Sequence, residues 1–226
     1  MKNTIEIKFM GNFYSRTLDK ELRFGDVLQW GVSTPSFYKN KSNLENKDFS
    51  IKVCYTSHSV ILTPCCTIGK QSKITLAPLV QVRNSFFSNP YFVEDLTRIN
   101  RILEEPEKSV SPEIWKKMPP KKRDEILEEK KPYAFLNFFI YESNPLFPSY
   151  EVNVKDGTKY KTNYYMVDFV DTYKIEYDNP SSPNNFLLKC KCLELSILAR
   201  TELRDKISYY YGRSPKEDLV YWDYCA

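Results

Sequence analysis

Apolar residues in the first third of the chain alternate with polar ones or gather in short blocks. Ile5, Ile7 and Phe9 alternate with Glu6 and Lys8 across Thr4–Met10, the period of two of a half-buried strand. Gly25-Asp26 is a turn signal, and Val27-Leu28-Gln29-Trp30 follows as a second short strand. Ile51–Tyr55, Ser59–Thr63 and Lys73–Val82 read as three more. Ile61-Leu62 and Ala77–Val80 are apolar without alternation, as in strands buried on both faces. Pro78 inside the last run predicts an edge or a bulge. Residues 31–48 are polar, contain Pro35 and read as a long loop.

The period changes after Arg83. Phe92, Leu96, Ile99 and Leu103 fall at helical spacing within Pro90–Leu103. Ser111-Pro112-Glu113 is a helix start, with Ser as cap and Pro at the first helical position. Pro119-Pro120 stops that helix, and Lys121–Lys131 begins another with only Ile126 and Leu127 apolar. Residues 90–131 therefore read as a helical insertion. Strand patterns return at Tyr133–Tyr141, Tyr164–Tyr177 and Leu187–Leu195. Ala199, Leu203, Ile207 and Tyr211 then recur every four residues in Ser196–Tyr211, and Gly212 is placed to end that helix.

These elements predict one α+β domain over residues 1–226. Short strands between turns suggest a small SH3-like β-barrel. The insertion would lie outside it, and the amphipathic C-terminal helix would close it.

Composition refines this picture. The chain has 226 residues, 17 Tyr and 14 Phe but only 6 Gly, which favours strands. A chain of this size needs no disulfide or metal to hold a core. The net charge of +4 permits an anionic partner without requiring one. Glu6 and Lys8 interrupt the N-terminal apolar stretch, so it cannot be a signal-peptide core. No window approaches the ~20 apolar residues of a membrane span. A cytoplasmic location with six reduced thiols is expected.

The cysteines offer three readings. Cys65-Cys66 could hold a nucleophile, but His58 is the only imidazole in the chain and lies eight residues before Cys66. An extended strand between them keeps base and thiol apart. Burial as small core residues is the second reading. The third is zinc on His58, Cys66, Cys190 and Cys192, since Cys190 and Cys192 on one strand would share a face. The chain has no Cys-x-x-Cys knuckle.

Basic residues cluster near the C-terminus. Arg200 and Arg204 share a helix face, Lys189 and Lys191 lie on the strand before it, and Tyr209 and Arg213 follow. Cations interleaved with rings can neutralise phosphates and stack bases. The alternative is a helix whose cations suit its own dipole and whose tyrosines pack on the sheet. Lys116-Lys117 and Lys121–Arg123 are followed by Glu125, Glu128 and Glu129, so local ion pairs are expected there. Gly-rich phosphate loops, His-Glu-x-x-His helices and Gly-x-Ser-x-Gly elbows are absent from the sequence.

The order Gly25-Asp26-Val27, Val60–Pro64, then Ile74–Leu79 resembles the PemK/MazF-like barrel family over residues 24–82. A group of larger prokaryotic proteins looks similar too, with a Ser/Thr-x-x-Cys turn and an Arg-bearing C-terminal helix. Thr63–Cys66 and Arg200–Arg213 match that layout. The resemblance implies an endoribonuclease-like toxin, with an Arg before the apolar strand and a Ser or Thr on the next. Here Ser57-His58 fills the Arg position. A nuclease would then have to use Thr75 with Lys73 or Arg83 at phosphate. The expected function is instead a non-catalytic binding or adaptor subunit of a toxin–antitoxin or phage-defence type assembly. Its ligand would be nucleic acid or a partner protein, with oligomers allowed. A zinc-stabilised interaction module is the remaining alternative.

Overall fold

The computed structural model describes residues 5–6, 13–39, 49–70, 72–88, 92–93, 95–100, 117–128, 136–154, 157–176 and 185–212. Its strands in chain order are β1 (Ile5–Glu6), β2 (Val27–Leu28), β3 (Gly31–Val32), β4 (Ser36–Lys39), β5 (Phe49–Lys52), β6 (Tyr55–Thr56), β7 (Ser59–Ile61) and β8 (Lys73–Pro78). They continue with β9 (Val80–Gln81), β10 (Phe138–Tyr141), β11 (Tyr150–Asn153), β12 (Lys159–Thr162), β13 (Tyr165–Asp168), β14 (Tyr173–Glu176) and β15 (Lys191–Leu193). The helices are α1 (Pro120–Glu128), α2 (Phe186–Cys190) and α3 (Ile197–Gly212), with 3-10 turns at Asn84–Ser88 and Leu96–Asn100.

The fold is α+β with mostly antiparallel pairing. The central sheet runs β14-β8-β7-β2-β15, antiparallel at every step. A second sheet runs β10-β13-β9, and a third runs β1-β12-β11 with β1 parallel to β12. β3 pairs with β6, and β4 with β5. No sheet among the described residues closes on itself.

Alternation along the strands distributes side chains to separate cores. Val27, Val60, Leu62 and Ala77 of the central sheet meet Phe139, Tyr141, Tyr165 and Val167 of the second sheet, with Ala199 and Leu203 of α3. Two sheets thus share one core. On the far face of the central sheet, Leu28, Ile61, Ile74 and Leu76 pack with Leu22, Tyr173 and Leu187. Behind the second sheet, Phe138, Ile140 and Met166 meet Phe86, Phe87, Phe92, Leu96 and Ile99. Each fully buried aliphatic or aromatic side chain here contributes roughly 1.5–3 kcal/mol.

Several expected elements differ. Lys73–Val82, expected as one strand, is two strands in different sheets. The chain leaves β8 at Pro78, which has no N–H for a further ladder bond. Residues 31–48, expected as loop, contain β3 and β4; β4 reads Ser-Phe-Tyr-Lys, a short run that pairs with β5. Leu187–Leu195 is not one strand. Asn185 accepts hydrogen bonds from the N–H groups of Leu187 and Leu188 and starts a helical turn before β15. Tyr164–Tyr177 divides into β13 and β14 around a turn at Asp168–Asp171. β11 and β12 carry a clean alternation, and Gly157 turns between them at φ 85.

Of the insertion, α1 begins at Pro120, so the second proline opens a helix. Leu96–Asn100 is a 3-10 turn. The expected start at Ser111-Pro112 lies outside the described residues. So does most of the expected strand Thr4–Met10, of which Ile5–Glu6 pairs.

Candidate nucleic-acid interface

β8 and β14 pair with Thr75 opposite Lys174 and Lys73 opposite Glu176. Opposed residues in an antiparallel pair point to the same side, so these four side chains share one face of the sheet edge. Ile74 and Leu76 take the other face and are fully buried. The chain after β7 folds into a turn in which the N–H groups of Thr67 and Ile68 both donate to Pro64 O, at 2.9 and 3.1 Å. That turn brings Thr67 and Lys70 to the same side. α3 supplies Ile207 and Tyr211 as the facing wall.

The result is an open groove of about 800 Å³. Lys70, Lys73 and Lys174 line it together with the hydroxyls of Thr63, Thr67, Ser72, Thr75 and Thr172. Thr63 Oγ1 accepts the Thr75 N–H at 2.7 Å, and Leu62 N–H donates to Thr75 O at 2.9 Å, which fixes one wall. Lys73 lies 3.4 Å from Glu176, and both are more than half exposed. Such a pair is screened by water and exchanges readily for another anion. The last turn of α3 brings carbonyl dipoles that oppose an anion by roughly 0.3–1 kcal/mol. Three ammonium groups outweigh that, and the hydroxyls add donors. The groove can therefore hold phosphate oxygens.

The residues expected from sequence divide. Thr75 and Lys73 stand together in the groove. Arg83 does not join them: its guanidinium bonds Asp168 at 3.2 Å and lies 4.3 Å from the Phe138 ring centroid. Lys191 is not on a basic surface. Its ammonium, 2% exposed, lies 2.8 Å from Asp26 and 2.9 Å from Glu194, and donates to Glu21 O. Arg200 is turned to the same cluster, bonding Glu194 at 2.9 Å and Leu195 O at 3.1 Å. Buried carboxylates claim these two cations because leaving either unpaired costs several kcal/mol. Lys189 and Arg204 are exposed, Arg204 lying 3.4 Å from Asp205. Arg204 precedes Tyr211 by two helical turns and shares its face. Tyr209 is exposed and does not line the groove. Arg213 lies outside the described residues.

The cysteine readings change as well. Cys65 and Cys66 are exposed in the 64–70 turn, so they are not core residues. His58 is buried with its ring against Phe147 at 5.1 Å, and burial holds its pKa below the ordinary value. Cys65 Sγ instead accepts the Phe24 N–H at 3.3 Å. Cys190 and Cys192 do not share a face. Cys190 ends α2 and packs with the far core, whereas Cys192 packs toward α3. The helical turn before β15 breaks the period of two that placed them together. No group of three or more His, Cys, Asp or Glu among the described residues is arranged to hold a metal ion.

Sequence reasoning missed Lys70, Lys174 and Thr172. Each lies in a strand or turn visible in the pattern. The register that sets Lys174 beside Thr75 joins residues a hundred positions apart, and no local signal specifies it. Among the described residues no helix is long and apolar enough to cross a membrane. No family model, curated protein or solved structure matches the chain.

Proposed function

We propose that this chain is a non-catalytic binding protein whose ligand is nucleic acid, held by its phosphates in the groove between β8, β14 and α3. The observation that carries this reading is the convergence of Lys70, Lys73 and Lys174 with Thr67, Ser72, Thr75 and Thr172 along one open groove. Its place would be as a subunit of a toxin–antitoxin or phage-defence type assembly, as the resemblance over residues 24–82 implies. On that reading β2, β7 and β8, which pair consecutively, are the part of a PemK/MazF-like small barrel that this chain retains.

The test is oligonucleotide binding by fluorescence anisotropy across a salt series. Replacing Lys70, Lys73 and Lys174 together by Gln should weaken affinity tenfold or more. It should also reduce the slope of log affinity against log salt by about 2, since each neutralised phosphate contributes roughly 0.7–0.9. Unchanged affinity and slope would move the ligand elsewhere. Thr75 and Lys73 share this groove, so a nuclease is the second reading. Incubation of the protein with RNA decides it: intact RNA supports binding without cleavage, and cleavage lost in Thr75→Val supports the nuclease.

A further inference from the structure

Tyr211 is exposed and yet fixed. The residue is 64% exposed and lines the groove from the α3 side, across from Lys73 and Lys174. Its hydroxyl donates to Phe169 O at 3.1 Å. Its ring meets Tyr210 edge to face at 4.9 Å and 74°, and Tyr210 in turn packs on Phe169 at 5.6 Å. An exposed tyrosine at a helix end normally keeps its rotamer freedom. This one has already given that freedom up, so a ligand that stacks on it bears little further ordering cost.

We infer that Tyr211 is a stacking platform for an unpaired base, and that the ligand of the groove is a single nucleic-acid strand whose phosphates lie on Lys70, Lys73 and Lys174. The inference rests on the reading of the groove given above. In a duplex the bases face each other and are stacked on both sides, so a ring beside the phosphates finds only backbone. In a single strand the bases turn free, and any of the four presents a π-face to an aromatic side chain. The groove has cations on one wall and a ring on the other, which suits one strand lying along it. Recognition would be tolerant of sequence, because stacking reads no base edge.

The experiment compares three probes at one salt concentration: a short oligothymidylate, an abasic strand of equal length and charge, and a duplex. The wild-type chain should bind the oligothymidylate about tenfold more tightly than the abasic strand. Tyr211→Leu should remove that preference while leaving abasic binding and its salt slope unchanged. Tyr211→Phe should keep most of the preference, and Tyr209→Leu, off the groove, should keep all of it. Salt-dependent binding of all three probes with equal affinity, unaltered in Tyr211→Leu, overturns the stacking inference and leaves the phosphate groove standing. Binding that ignores both salt and the triple lysine replacement overturns both. Circular dichroism melting of each variant separates a loss of binding from a loss of fold.

Discussion

Lys191 Nζ stands 2.8 Å from Asp26 Oδ2, with the two side chains 2% and 0% exposed. Around this pair, Glu194 accepts from Lys191 and Arg200, and the backbone N–H groups of Arg23 and Asp19 donate to Asp26 and Glu194. Two cations and two carboxylates balance in charge. The cluster ties β2, β15, α3 and the 19–23 segment together at one point. It also explains why Lys191 and Arg200 are not presented at the surface to a phosphate.

Burial pushes the Asp26 carboxyl up from 3.8 to about 6, against the pull of Lys191. The folded state then holds this proton more tightly than the unfolded chain between about pH 4 and pH 6. The stability contributed by Asp26 is full below pH 4 and is lost as pH rises through 6, a change of about 3 kcal/mol for two units. Glu194 runs the other way. Its hydrogen bonds hold it below 4.5, so its contribution is present above that value and lost toward acid. Asp26→Asn isolates the first effect. Wild-type stability minus that of the variant should fall by about 3 kcal/mol from pH 4 to pH 7, measured by urea unfolding at each pH. A flat difference would mean that Lys191 keeps Asp26 ionised throughout.

Gly25 precedes this cluster with φ +86, and a Cβ placed there would lie 2.7 Å from Leu195 Cδ1. Left-handed backbone costs a non-glycine residue about 1–2 kcal/mol, and the overlap with a buried leucine adds about 1–3. Gly25→Ala should lower unfolding free energy by about 3 kcal/mol. Gly157→Ala, also at positive φ but with open space around its Cβ, should lose only the backbone part. Equal losses in the two variants would show that the Leu195 contact carries no cost.

What the sequence discloses about this fold follows the range of the forces involved. The Gly25-Asp26 turn, the buried run at Val60–Leu62 and the C-terminal helix are local, and each is visible as a pattern of neighbours. The core stripe of that helix is less so. Residues four apart advance about 40° more than one turn at each step, so Ala199 and Leu203 are buried while Tyr211 has rotated out to 64% exposure and Lys206 has rotated in. The same drift turns an expected core tyrosine into a wall of the groove. The fate of Lys191 was illegible because Asp26 and Glu21, two of its partners, lie far along the chain, and Arg200 follows it inward through Glu194, which the two cations share.

The thiols give a prediction that needs no variant. Cys54, Cys65 and Cys66 are exposed, whereas Cys192 donates to Val27 O and burial raises its thiol to about 11. The thiolate is the reactive form. At pH 8, iodoacetamide mapped by mass spectrometry should label Cys65 and Cys66 at least tenfold faster than Cys192. Comparable rates would mean that the partial burial of Cys192 and its bond to Val27 O do not hold its thiol in the unreactive form.

Lys206 is fully buried on α3, and its ammonium donates to the carbonyl of Ile99 in the neighbouring 3-10 turn. Burial holds its pKa well below 10.5, with Glu202 opposing. The unfolded chain therefore binds the proton more tightly than the folded one, and stability from this group rises with pH up to about 10.5. Replacing a buried cation by an apolar chain of similar length is often neutral or stabilising, though Ile99 O then loses a donor at a cost of about 1 kcal/mol. Lys206→Met should gain about 1 kcal/mol at pH 7, and the gain should shrink as pH rises, read by urea unfolding at pH 6, 7, 8 and 9. A loss that stays constant from pH 6 to pH 9 would place the balance with Glu202: the ammonium would then be held charged inside the protein, and its bond to Ile99 O would pin α3 to the 96–100 turn.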